Sequence, residues 1–221
     1  MSQIIIGYTS EGTTDVHFLS SIILRTFVEI GFECQKEIEV IEPIVHIKKE
    51  NGLSFSEQML KCSKQAHQNG VMAFCIHVDA DSETHDDVLR SKIHPTRELI
   101  GNSIDNVCKN LVPIIPIQMT ESWMLADKQL LKDEIGTEMG DNELGINRNP
   151  EEIADPKQVI TDAIRLARAH IVKRRRKDLT ITELYQPLGQ KISLKTLSVL
   201  PSFENFKESV RAAYRTLNYL Q

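Results

Sequence analysis

The sequence predicts an α/β protein with a mostly parallel, four-stranded central sheet flanked by helices, followed by a C-terminal helical extension. Three observations carry this prediction. Short Ile- and Val-rich runs alternate with segments of helical periodicity over residues 1–135. One of those runs, residues 71–78, is apolar throughout except for His77, the pattern of a strand covered on both faces. Beyond residue 135 only loops and helical patterns follow. The expected division is a domain over residues 1–135 and a helical extension over residues 136–221 that packs on it.

Residues 3–8 (QIIIGY) form the first strand, and TSEGTTD follows as a loop. Val16, Leu19, Ile22, Ile23, Phe27 and Ile30 then recur at helical spacing, with Gly31 as the stop. The second strand spans residues 37–47 and is interrupted at Pro43. Ser54 and Glu57 have capping-box spacing and open the second helix, which ends at Asn69-Gly70. Residues 71–78 are the third strand. Pro95 opens a third helix with Leu99, Ile100, Ile104, Val107 and Cys108 on one face. Residues 111–118 are the fourth strand, and Pro113 and Pro116 mark an edge or irregular position. ESWMLAD starts another helix, with Trp123, Leu125 and Ala126 in the core and Asp127 at its surface end. Asp155-Pro156 caps a helix expected to reach about residue 177, and Pro201 separates two helical patterns in the tail.

Bulk properties exclude several classes. The 41% hydrophobic content of 221 residues supplies one sizeable core, and 26% charged residues is ordinary for a globular chain. No apolar run approaches the roughly 20 residues a membrane span needs. The N-terminus lacks the basic and apolar regions of a signal peptide. Cys34, Cys62, Cys75 and Cys108 form no CxxC pair, so reduced thiols and a cytoplasmic location are expected. A net charge of −5 argues against nucleic-acid binding by bulk electrostatics.

Parallel α/β sheets bind ligands beyond the C-terminal ends of their strands. Glu11 follows the first strand, Asp79 and Asp81 the third, and Glu121 and Asp127 the fourth. Such a cluster repels itself and raises its own pKa values unless a cation is present. A hard divalent ion such as Mg²⁺ resolves this with oxygen ligands. If Asp79 and Asp81 remain extended, their side chains project to the same side and share an ion. Gly12 permits a tight turn and close approach of a phosphate. Asp15, one helical turn after Glu11, either joins the site or complements the helix N-terminus. His77 is either a satisfied buried histidine or a support for Asp79.

Glu11-Gly12 after the first strand and Asp79-Ala80-Asp81 after the third resemble the signature of the TOPRIM family. That family covers topoisomerases, bacterial primases, recombination-mediator proteins and OLD-type nucleases. The resemblance spans roughly residues 1–130. The stretches EGTTD, HVDAD and PIQMTESWMLAD look closest to a bacterial group found beside ATPases in phage-defence gene neighbourhoods. The ending LPSFENFKESVRAA resembles the end of the same group. The resemblance implies a Rossmann-like TOPRIM domain. It implies that Glu11 acts as general acid, general base or metal ligand, and that Asp79 and Asp81 hold Mg²⁺ or Mn²⁺. Asp15 and Glu121 are then the candidates for a second ion.

The chain is too short for a topoisomerase and has no zinc-binding segment for a primase. The favoured expectation is therefore a metal-dependent nuclease acting on DNA or RNA, an antiviral effector beside an ABC/OLD-type ATPase partner. Lys173, Arg174, Arg175, Arg176 and Lys177 then supply local positive potential for the phosphate backbone, with Lys191 and Lys195 adding to it. The bland alternative for the run is a solvated helix end. Two competing functions stand beside the nuclease: a non-catalytic docking module of the same fold, and a small-molecule phosphotransfer or phosphohydrolase enzyme. The amphipathic helices of the tail serve either as core or as a homodimer or partner interface.

Overall fold

The computed structural model describes residues 2–50, 52–169 and 179–221. The first strand divides at Ile5 into β1 (Ser2–Ile4) and β2 (Ile6–Thr9), and the second divides around Pro43 into β3 (Ile38–Val40) and β4 (Val45–His46). Proline has no N–H to offer the ladder, which accounts for the second break. β5 (Ala73–His77) and β6 (Leu111–Ile114) complete the strands among the described residues. All pairings are parallel: β4-β2-β5-β6 form one sheet, and β1 pairs with β3.

Helices cover both faces. The chain runs through α1 (Asp15–Gly31), α2 (Phe55–Gln68), α3 (Asp86–Val88), a π turn (Leu89–Ile93) and α4 (His94–Gly101). It continues through α5 (Glu121–Met124), α6 (Lys128–Ile135), α7 (Asp141–Leu144), α8 (Pro156–Ala167), α9 (Tyr185–Lys191), α10 (Leu194–Leu197) and α11 (Pro201–Thr216). No helix among the described residues is long and apolar enough to cross a membrane.

Alternation along β5 divides the core. Ala73 and Cys75 join a cluster with Phe18 and Leu19 of α1, Trp123 of α5, Ile160 of α8 and Phe203 of α11. Phe74, Ile76 and Val78 join the opposite cluster, with Met59 of α2 and Ile100 of α4. Every β5 residue is buried, as its apolar run predicts for a central strand. The helices after residue 135 therefore share a core with one face of the sheet.

Several local expectations are met by specific interactions. The Ser54 hydroxyl and the Glu57 carboxylate form the reciprocal capping box, and the Asp155 carboxylate accepts the Gln158 N–H at 2.8 Å. Three others need correction. The third helix begins at Asp86, well before Pro95, because the π turn carries it into α4. α4 ends at Gly101, so Ile104 lies beyond it and is fully exposed. Asp127 does not end a helix; its carboxylate caps α6 by accepting the Leu130 N–H at 3.0 Å.

The strand order positions the site. From β2 the chain crosses through α1 to β3 and β4 on one side, whereas from β5 it proceeds to β6 on the other. The divergence opens a crevice outside the C-terminal ends of β2 and β5. β6 is an edge strand and leaves the ladder after Ile114, yet its continuation stays beside that of β5. Ala80 N–H donates to the Pro116 carbonyl at 3.0 Å, and Asp81 N–H to that of Gln118 at 2.8 Å.

α9 is pressed against α1. A Cβ on Gly189 would lie 2.6 Å from the Phe18 carbonyl oxygen, too close for any side chain. The Arg25 guanidinium of α1 donates to the carbonyls of Ile192 at 2.7 Å and Gly189 at 2.8 Å. Gly189→Ala is expected to force the two backbones apart and cost about 1–3 kcal/mol, the usual scale of overpacking. Urea unfolding measures this, and an unchanged midpoint would show that the helices give way freely.

Candidate metal centre

The site is built around His77, the last residue of β5. Its ring is fully buried on the α1 side of the sheet. A buried imidazole must satisfy both nitrogens. Nδ1 accepts the backbone N–H of Glu11 at 3.1 Å. The neutral ring therefore carries its hydrogen on Nε2, which lies 3.0 Å from the Thr120 hydroxyl and 3.2 Å from Asp79 Oδ1. Thr120 returns its own N–H to Asp79 Oδ1 at 2.9 Å. Asp79 N–H donates to Glu11 Oε2 at 2.9 Å. The ends of β2 and β5 and the segment after β6 are thus tied through one ring.

Asp15 joins from the first turn of α1, where it is buried. Its Oδ2 accepts the Gly12 N–H at 2.8 Å and lies 3.9 Å from His77 Nδ1. A Cβ at Gly12 would stand 2.9 Å from that same oxygen, so the glycine is what lets the loop close on the carboxylate. One atom each from Asp15, His77 and Asp79 lies within 4.8 Å of the others, a buried Asp-His-Asp group that could hold a metal ion. The carboxylates of Glu11, Asp15 and Asp79 each spend one oxygen on a backbone N–H. Among the described residues, the second oxygen of each has no protein donor.

Charge runs high around the ring. Burial works against a charge on His77, but the carboxylates of Asp79, Asp15 and Glu11 outweigh it and hold its pKa above the ordinary imidazole value. Protonating Nδ1 would break the bond from Glu11, so the observed arrangement belongs to the neutral ring. Partial desolvation, with the nearby Asp79 and Glu11 carboxylates, pushes the Asp81 pKa up, against Lys92.

The predicted residues separate at this point. The backbone and side-chain bonds just described bring Glu11, Asp15 and Asp79 together. Asp81 is exposed and has a φ of 51°, so the extended geometry that would align it with Asp79 does not apply. Glu121 is buried, and its Oε1 accepts the Tyr185 hydroxyl and lies 3.8 Å from Lys157 Nζ. Lys191 pairs with Glu134 at 2.6 Å. Lys173, Arg174, Arg175, Arg176 and Lys177 lie outside the described residues.

Two contributors escaped sequence reading. Thr120 precedes α5 without making a side-chain capping bond, and its hydroxyl faces His77 instead. Tyr185 comes from α9 to Glu121, and burial together with that carboxylate raises its pKa. No local signal marks Tyr185; the histidine breaking the apolar run at residue 77 was the available signal for the ring. No protein-family model matches the chain, and no curated protein or solved structure is similar to it at a significant level. The site therefore stands on its own geometry.

Desolvation raises the Glu121 pKa, with the Tyr185 hydrogen bond opposing it. A carboxyl whose folded pKa lies above its unfolded value stabilises the fold most below the unfolded pKa. That stability is lost as pH rises through the folded pKa. Wild-type protein should therefore lose stability relative to Glu121→Gln as pH climbs from the ordinary carboxyl range toward neutrality. Urea midpoints across that range test this, and parallel profiles for the two proteins would refute it.

Proposed function

We propose that the protein is a divalent-metal-dependent nuclease, a hydrolase of DNA or RNA phosphodiesters built on a TOPRIM-like domain. The observation that carries this reading is the convergence of Glu11, Asp15 and Asp79 outside β2 and β5. In each of these residues one carboxylate oxygen is anchored by a backbone N–H, and the other lacks a protein donor among the described residues. Three acids gathered at a sheet switch point suit a hard cation and a phosphate substrate. The order Glu-Gly after the first strand and Asp-x-Asp after the third supports the TOPRIM assignment.

Asp15 and Asp79, whose ligand atoms lie within 4.8 Å of each other and of His77, would hold Mg²⁺ or Mn²⁺, with Glu11 beside them. Direct ligation by His77 would favour Mn²⁺, since imidazole is a poorer partner for Mg²⁺. Such an ion supplies Lewis acidity to a phosphoryl oxygen and eases deprotonation of water. The chain's own groups do the positioning. His77 and Thr120 orient Asp79, and Asp79 N–H holds Glu11 with its other oxygen toward the crevice for proton transfer or ligation. Glu121 already has Tyr185 and Lys157 as partners, which supports one ion over two.

Purified protein should cleave DNA or RNA oligonucleotides with Mg²⁺ or Mn²⁺ and lose that activity in EDTA. Asp79→Ala and Glu11→Gln should each lower the rate by roughly 100-fold or more. Full cleavage by both variants would sink the reading, and oligonucleotide binding without cleavage would point to a docking module instead. His77→Ala should weaken Mn²⁺ binding by about 10–100-fold through loss of orientation, as measured by titration calorimetry. Unaltered affinity would remove His77 from the site.

A further inference from the structure

We propose that Lys49 and Lys92, together beside the Phe55 ring, form a subsite that grips the phosphodiester backbone next to the candidate metal centre. The substrate class rests on the nuclease reading; the subsite itself rests on separate observations. Lys49 Nζ lies 6.0 Å from the Phe55 ring centroid and Lys92 Nζ 5.8 Å. Lys49 belongs to the loop between β4 and α2, Phe55 opens α2, and Lys92 lies in the π turn. Such turns are over-represented at functional positions.

A cleft of about 550 Å³ runs from the loop after β2 to the first turn of α2. Glu11, Gly12, Lys49, Phe55 and Gln58 are among its walls, so the first lysine and Glu11 of the acid cluster open onto one space. Lys49 is half-buried, and burial lowers its pKa, with Lys92 acting in the same direction and Glu11 and Asp15 opposing.

These two cations differ from the paired lysines of the fold. Lys61, Lys64, Lys132, Lys191 and Lys207 each pair with a carboxylate. Among the described residues, neither Lys49 nor Lys92 has an ion pair or hydrogen bond. Two half-buried ammonium groups near one another repel, and the acids that act on them, Glu11 and Asp15 on Lys49 and Asp81 on Lys92, do so without a direct ion pair among the described residues. A phosphate supplies a direct partner, because its oxygens accept charge-assisted hydrogen bonds from both. The lysines also offset repulsion between the acid cluster and an incoming polyanion in a chain of net charge −5.

The test is fluorescence anisotropy of a short labelled single-stranded DNA, and of RNA of the same sequence, with Ca²⁺ present. Lys49→Gln and Lys92→Gln should each weaken binding several-fold. The double variant should flatten the dependence of log affinity on log salt by about 1.4, since each phosphate contact on a single strand contributes roughly 0.7. Lys49→Arg, which keeps the charge, should preserve the slope and so separates lost charge from lost fold. Lys61→Gln, whose native amine already pairs with Glu50, should behave as wild type. Preference for the DNA or the RNA identifies the source of the backbone, and either supports the subsite. An unchanged slope in the double variant, or no binding of either strand by wild-type protein, overturns it. Lysine-dependent binding without cleavage sinks the nuclease reading alone, and cleavage with an unaltered KM and slope in the double variant sinks the subsite alone.

Discussion

A single imidazole with no solvent exposure joins the ends of three neighbouring segments. His77 receives the Glu11 backbone N–H on one nitrogen and faces Thr120 and Asp79 with the other. Buried polar groups left unpaired cost about 1–3 kcal/mol each, so the ring constrains every group that touches it. Its demands hold the loop after β2, orient Asp79 and draw Thr120 inward. The acids of the crevice inherit their positions from this one buried group, which makes it a structural requirement before it serves any chemistry.

The crevice also concentrates charge of one sign. Glu11, Asp15 and Asp79 stand close enough to raise the pKa of the histidine between them, and Asp81 responds to two of the same acids. Holding carboxylates together in a partly desolvated space is unfavourable without compensation. Backbone N–H groups compensate one oxygen of each, and Asp15 and Asp79 stand close enough to share a cation with His77. Lys49 lines the cleft at Glu11 and Lys92 lies near it, each without an ion pair among the described residues. Opposite charges kept apart within one cleft suit a ligand that is itself an anion and binds alongside a cation.

The C-terminal helices belong to the same physical system. Gly189 allows α9 to approach α1 at backbone contact, and Arg25 secures that approach with two carbonyls. The consequence at the site is Tyr185, whose hydroxyl meets Glu121 in a buried setting. Glu121 thereby acquires a partner from distant sequence, and the Asp15 charge acts on both Glu121 and Tyr185. The extension shares the hydrophobic cluster of the sheet's α1 face, so its packing and the position of Tyr185 are inseparable.

Local sequence was sufficient wherever the determining forces are local. The alternation of apolar runs with helical periodicity marked a parallel α/β sheet, the unbroken run ending in His77 marked its central strand, and Ser54 with Glu57 marked a helix start. Strand ends also follow from that reading, which is why Glu11 and Asp79 could be chosen before any coordinates. Asp81 could not be settled in this way. Its left-handed backbone arises where the chain after β5 pairs with the segment around Gln118, a contact between residues far apart in sequence. Tyr185, Thr120, Lys49 and Lys92 lay beyond sequence reading for the same reason. Their surroundings depend on which helix lies against which loop, and periodicity reports only that a side chain is buried, never what it meets there.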